Sequence, residues 1–127
     1  MLNSSLKKIL VVDDEEETVV YLSNILKRAN YEVIYTTKGK EAVELALESR
    51  PDLILLDIML PDMDGFEVLD RLKSKWIELK ISSVPVIMVT AKGESEAIFK
   101  AEDSLVTDYF IKPFDPTELL RMIKRYI

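Results

Sequence analysis

Two rhythms of apolar residues alternate along this chain. Five segments of strand length, residues 7–12 (KKILVV), 32–36 (EVIYT), 53–56 (LILL), 84–89 (VPVIMV) and 108–111 (DYFI), carry apolar side chains in short concentrated runs. Between them the apolar positions fall three and four apart, the spacing of a helix with one buried stripe. Val19, Leu22, Leu26 and Ala29, with Ile25 beside them, predict a helix over 15–29; Ala42, Leu45 and Ala46 predict one over 39–49. Phe66, Leu69, Leu72 and Trp76 mark a third. Residues 94–103 form the least amphipathic helix, with only Ala97, Ile98 and Ala101 to bury, and Leu119, Leu120, Ile123 and Ile127 give a last helix through Tyr126.

The breaks between segments agree with this alternation. Asn30 suits a left-handed turn at the end of the first helix, and Arg50-Pro51 stops the second. Pro85 lies near the start of the fourth strand, where a missing N–H matters least. Asp115 or Thr117 caps the last helix, with Pro116 in its first turn. The expectation is an α/β fold: a single doubly wound (βα)5 domain with a five-stranded parallel sheet of order 2-1-3-4-5 and helices on both faces. Residues 1–6 are expected to fray and 7–127 to form the domain, leaving no residues for an output domain. Such a chain is either a stand-alone protein or one domain of a longer one.

Composition narrows the chemistry. The 127 residues suffice for a core that needs no staples, and there is no cysteine to supply any. No signal-peptide pattern and no apolar run near the ~20 residues of a membrane span are present, so a cytoplasmic protein with no membrane partner is expected. The net charge of −6 opposes sequence-independent nucleic-acid binding, which rests on Lys and Arg against phosphates, and no direct nucleic-acid contact is expected. The absence of histidine removes Ser-His and Cys-His nucleophiles, His-ligated metals and any role as a histidine kinase or phosphohistidine carrier. Carboxylate, hydroxyl, ammonium and hard-metal chemistry remains.

Those groups collect at the carboxyl ends of the predicted strands. Asp13 and Asp14 follow the first, Asp57 the third, Thr90 the fourth and Lys112 the fifth. Open α/β sheets bind ligands at that edge, and the order 2-1-3-4-5 makes these ends neighbours. Like charges at ~5 Å in an effective dielectric of ~20 repel by roughly 3 kcal/mol per pair, so three carboxylates there call for a counterion. An all-oxygen set with room for water and phosphate suits Mg²⁺ better than a Ca²⁺ cage. A carboxylate beside such a cation is a competent nucleophile toward phosphorus, with Lys112 and Thr90 placed to stabilise phosphoryl oxygens.

At these residues the chain resembles the CheY-like receiver domains of bacterial two-component response regulators. The resemblance runs from about residue 7 to the C-terminus and is carried by KKILVVDDE (7–15), LLDIMLPDMDG (55–65), PVIMVTA (85–91) and DYFIKPF (108–114), each weak alone and specific as an ordered set. It implies a phosphorylation-dependent signalling switch, regulatory rather than enzymatic, that catalyses only its own phosphorylation and dephosphorylation. Asp57 is implied as phosphoacceptor, charged by a sensor histidine kinase or a phosphotransfer protein. Asp14 and Asp57 are implied as direct Mg²⁺ ligands, with the Met59 carbonyl a third and Asp13 acting through water. Thr90 and Tyr109 correspond to the switch pair and Lys112 to the phosphoryl-pairing lysine, followed by a bond to Pro113 that is usually cis. A downstream protein target, and a dimer through the surface of the fourth helix, fifth strand and fifth helix, follow from the same resemblance.

The chain departs from the family at two places. Relatives usually carry glycine about seven residues before the lysine, where this chain has Leu105; a positive φ there costs leucine on the order of 1 kcal/mol. The interval from Asp57 to Pro85 is also longer than usual, which predicts an extended third helix or exit. The altered Leu105 loop is the one support for an alternative, a binding module that is never phosphorylated. Asp62-Met63-Asp64-Gly65 fails as a Ca²⁺ loop, because Gly65 in sixth place puts Leu60 first and Arg71 twelfth. It fails as a dehalogenase-type phosphatase motif because Asp57, not Asp62, follows the strand. Trp76 is expected as a helix anchor, and packing alone would account for Tyr109.

Overall fold

Nine elements are present in the computed structural model, which describes residues 6–91, 108–112 and 115–127, with the backbone alone at Thr90. They are β1 (Lys8–Val12), α1 (Glu16–Arg28), β2 (Glu32–Thr36), α2 (Gly39–Ser49), β3 (Leu53–Asp57), α3 (Gly65–Leu79), β4 (Val86–Ala91), β5 (Asp108–Lys112) and α4 (Pro116–Lys124). The strands form one parallel sheet in the order β2-β1-β3-β4-β5, as expected. The helix expected over 94–103, Leu105 and the Lys112-Pro113 bond lie outside the described residues.

The sheet is covered on both faces because its inner strands carry unbroken apolar runs, Ile9–Val12 in β1, Leu53–Leu56 in β3 and Val86–Val89 in β4. Leu53, Ile54 and Leu56 have no exposed surface at all, and Leu55 only 1%. Alternation along a strand then divides them. Leu10, Val12, Ile54, Leu56, Val86 and Met88 pack with α2 and α3 through Ala42, Ala46, Phe66, Leu69 and Trp76. Ile9, Val11, Leu53, Leu55, Ile87 and Val89 pack with α1 and α4 through Val19, Leu22, Leu26, Leu119 and Ile123. Each fully buried Leu or Ile contributes roughly 1.5–3 kcal/mol of hydrophobic free energy.

Helix ends obey local chemistry. Asp64 and Asp115 cap α3 and α4, their carboxylates accepting from the N–H of Glu67 and Thr117. Asn30 follows α1 at φ 69°, and Arg50 and Lys80 end α2 and α3 at φ 48° and 56°. α3 is a helix of 15 residues that continues past the buried Trp76 to expose Ile77 and Leu79.

Both ends of β4 and the end of the last helix differ from expectation, while β1, β3 and β5 shift by one residue at one end each. β4 begins at Val86, not Val84, because Pro85 has no N–H to give; its carbonyl accepts from the Ile54 N–H at 3.0 Å, and pairing starts with Ile54 opposite Val86. The strand runs on through Thr90 and Ala91, opposite Ile111 and Lys112 of β5. The last helix closes at Lys124 rather than Tyr126, and the N–H groups of Arg125 and Tyr126 turn back to Met122 and Ile123.

Candidate functional site

Three strands deliver three charged side chains to one point. β3 is flanked by β1 and β4, with Val12 opposite Leu56 and Asp57 opposite Val89, so Asp13 leaves its strand beside Asp57. β5 ends in Lys112, across β4 from them. Carboxylate oxygens of Asp13, Asp14 and Asp57 lie within 4.8 Å of one another, a separation at which like charges repel by roughly 3.5 kcal/mol per pair at an effective dielectric of ~20. Asp13 and Asp57 are buried, 2% and 4% exposed, whereas Asp14 faces solvent.

Lys112 is the internal counterion. Its Nζ lies 3.0 Å from Asp13 Oδ2 and 3.6 Å from Asp57 Oδ2. The remaining oxygens meet backbone donors: the Glu15 N–H donates to Asp13 Oδ1 at 3.0 Å, and the Met59 N–H to Asp57 Oδ1 at 3.3 Å. One ammonium does not compensate the two buried acids. Burial first, then the charge of Asp13, pushes the Asp57 carboxyl up to about 7 against the opposing pull of Lys112, with Asp14 adding to the rise. Burial alone would lower the Lys112 ammonium, but its hydrogen bond to Asp13 and the charges of Asp57, Asp13 and Glu15 outweigh this and hold it above the ordinary lysine value.

The donor set fits a hard divalent cation. It consists of oxygens alone, converges on one point, includes a solvent-facing carboxylate, and carries more negative charge than Lys112 balances. Met59 is 61% exposed beside it, in the loop after β3.

The remaining expected residues stand as follows. Thr90 lies one position past Val89, the partner of Asp57, so its backbone is at the site's edge. Tyr109 is half-buried against the cluster that contains Met88, its partner across β4 and β5. Sequence reasoning placed Lys112 at the rim; in the structure it bridges Asp13 and Asp57. Sequence reasoning weighed Asp62 only as a motif residue and missed that its carboxylate reaches α2, where it accepts from the N–H groups of Gly39 and Lys40. A signal was present: α2 opens at Lys38, a residue with no capping oxygen, so its first amides needed an acceptor from elsewhere.

Fold and site together define a doubly wound α/β domain with a carboxylate cluster at its strand ends, and the chain belongs to the response regulator receiver domain family, whose pattern it matches over residues 9–124. It is 42% identical over 118 residues to the alkaline phosphatase synthesis transcriptional regulatory protein PhoP of Bacillus subtilis, an alignment covering 93% of this chain and 47% of that protein. It is 39% identical over 117 residues to the transcriptional regulatory protein SrrA of Staphylococcus aureus, covering 92% of this chain and 46% of that protein. The chain thus spans about half the length of these curated relatives. Among solved structures it resembles a putative response regulator from Chloroflexus aurantiacus (TM-score 0.87, 30% identity, 96% of this chain and 98% of that one). A CheY-like receiver domain protein from Methanospirillum hungatei is similar too (TM-score 0.85, 31% identity, 95% and 93%). Receiver domains of response regulators are regulatory domains of two-component signalling rather than enzymes acting on an external substrate. Among the described residues no helix is long and apolar enough to cross a membrane.

Proposed function

We propose that this chain is a phosphorylation-dependent switch that accepts a phosphoryl group on Asp57 from the phosphohistidine of a sensor histidine kinase or a phosphotransfer protein. In the transfer, an ionised oxygen of Asp57 forms a bond to phosphorus as the P–N bond of the donor's phosphohistidine, protonated on its other ring nitrogen, breaks, leaving an aspartyl phosphate and a neutral imidazole on the donor. The observation that supports this most directly is a buried strand-end carboxylate within 4.8 Å of two more and 3.6 Å from an ammonium. Asp14, Asp57 and the Met59 carbonyl would hold Mg²⁺ directly, and Asp13 through water. Bound there, the cation would offset the negative charge of the carboxylates and of the phosphoryl oxygens.

The chain's own residues supply the rest. Lys112, already shared by Asp13 and Asp57, moves its charge toward the phosphoryl oxygens, because in the acyl phosphate the negative charge sits on them and no longer on the Asp57 carboxyl group. Thr90 donates its hydroxyl to the phosphoryl group, and the half-buried ring of Tyr109 follows inward. The readout is a changed surface around β5, α4 and the segment between β4 and β5, offered to a downstream protein target. The domain turns over no external substrate, works in the cytoplasm and makes no nucleic-acid contact of its own, in keeping with its net charge of −6.

The test is the intact mass after incubation with Mg²⁺ and acetyl phosphate. The mass should rise by one phosphoryl group, and neither Asp57→Asn nor a chelated sample should show the gain. Labelling that persists in Asp57→Asn overturns the assignment.

A further inference from the structure

The loop between β3 and α3, residues 58–64, carries both Met59 and the chain's exit from Asp57. Its two ends are tied to each other: Met59 and Asp64 form an antiparallel bridge, and the Gly65 N–H donates to the Ile58 carbonyl at 2.7 Å. Its tip is tied to a different part of the chain. Asp62 accepts at one carboxylate oxygen from the Gly39 N–H at 2.7 Å and at the other from the Lys40 N–H at 3.0 Å. These are the first amides of α2, whose own N-cap residue, Lys38, makes no side-chain cap. The two amide donors hold the Asp62 carboxyl below the usual carboxylate range, so it is a charged acceptor at neutral pH.

Packing seats the tip at the same place. A Cβ on Gly39 would lie 2.5 Å from Met63 Cγ and 2.9 Å from Val68 Cγ2, so only glycine lets the loop and α3 come this close to α2. Met63, next to Asp62, packs against the core beneath α2 and α3. The tip is therefore held twice, by a charged cap and by close packing on either side of one glycine.

We infer that Asp62 is a positioning residue: by capping α2 from the far side of the loop, it fixes the backbone that presents Met59 beside Asp57. The inference rests on the reading of the site proposed above. With the clamp released, the loop keeps its ends but loses its fixed tip, and Mg²⁺ binding has to order it. The effect is loss of cation affinity at unchanged chemistry, because Asp13, Asp14, Asp57 and Lys112 stand on strands or strand ends that the loop does not move.

The experiment separates positioning from plain helix capping. Wild type, Asp62→Asn, Asp62→Ala and the double variant Lys38→Ser with Asp62→Ala are compared by calorimetric titration with Mg²⁺ alone, by urea unfolding, and by acetyl phosphate labelling at limiting and saturating Mg²⁺. The hydroxyl introduced by Lys38→Ser supplies α2 with a cap of its own, and the extended backbone at Lys38 (φ −126°, ψ 140°) suits it. Asp62→Ala should raise the Mg²⁺ dissociation constant about tenfold, the scale of a lost supporting contact, and lower the urea midpoint. Asp62→Asn, with one acceptor oxygen left, should fall between. The double variant should recover the urea midpoint yet keep the weakened affinity, and labelling at saturating Mg²⁺ should stay within about twofold of wild type. Recovery of affinity together with stability overturns the inference, since Asp62 is then only a cap. A wild type that binds Mg²⁺ beside an Asp62→Ala of equal affinity overturns it as well. A wild type that takes up no Mg²⁺ overturns instead the reading of the site on which it rests.

Discussion

Replacing Asp57 by Asn should make the metal-free protein more stable at neutral pH, although it removes the proposed phosphoacceptor. The carboxyl lies at about 7 in the folded protein against 3.8 when unperturbed, because burial and the Asp13 charge oppose its ionisation. Between about pH 4 and 7 the folded state therefore holds a proton that the unfolded state has released, and stability falls as pH rises through that window. At about 1.4 kcal/mol per pH unit the loss reaches about 4 kcal/mol above pH 7, a large share of the roughly 5–15 kcal/mol that holds a domain of this size together. Asparagine has no proton to lose. Its carbonyl can still accept from the Met59 N–H, and Lys112 keeps Asp13 at 3.0 Å. Urea unfolding in chelator should find the variant and wild type within about 1 kcal/mol near pH 4.5, and the variant ahead by several kcal/mol at pH 7.5. Excess Mg²⁺ should narrow the gap by binding wild type more tightly. A variant no more stable than wild type at pH 7.5 without metal would refute the electrostatic account of the site.

Two further substitutions test its construction. Lys112→Ala leaves two buried acids without their cation, so the metal-free protein should lose about 2 kcal/mol or more at pH 7.5, with Mg²⁺ restoring most of it, as read by urea midpoints with and without the ion. Gly65→Ala would drive a Cβ to 2.5 Å from the Asp57 carbonyl oxygen and 3.0 Å from Ile58 Cα. Both are backbone atoms with little room to yield, so the variant should unfold at lower urea and label poorly with acetyl phosphate even at saturating Mg²⁺.

Much of this arrangement was legible in the sequence because it depends on local rules. Buried parallel strands read as unbroken apolar runs, helices read by their stripes, and the residue after each strand reports which group stands at the ligand edge. Gly39–Ser49 and Glu32–Thr36 were bounded to the residue. The start of β4 was not, since Val84 looks like strand in any window and only pairing with β3 shows that Pro85 stands outside it. Two contacts were hidden for a related reason. The Lys112 bridge between Asp13 and Asp57, and the capping of α2 by Asp62, join residues far apart in the chain, and no periodicity carries such pairings. The missing cap at Lys38 was the one local trace of the second.

The strand order has a consequence for when the domain becomes able to signal. Asp13 follows β1, and Asp57 and Lys112 close β3 and β5, so the site is divided among the beginning, middle and end of the domain. A ribosome must release nearly the whole domain before the lysine joins the acids, and a protease that cuts anywhere between them and frees a piece destroys the site. On the phosphoacceptor reading proposed above, competence to receive a phosphoryl group would certify an intact, fully assembled sheet, and truncated or half-folded copies in a cell would stay silent instead of sending a false message.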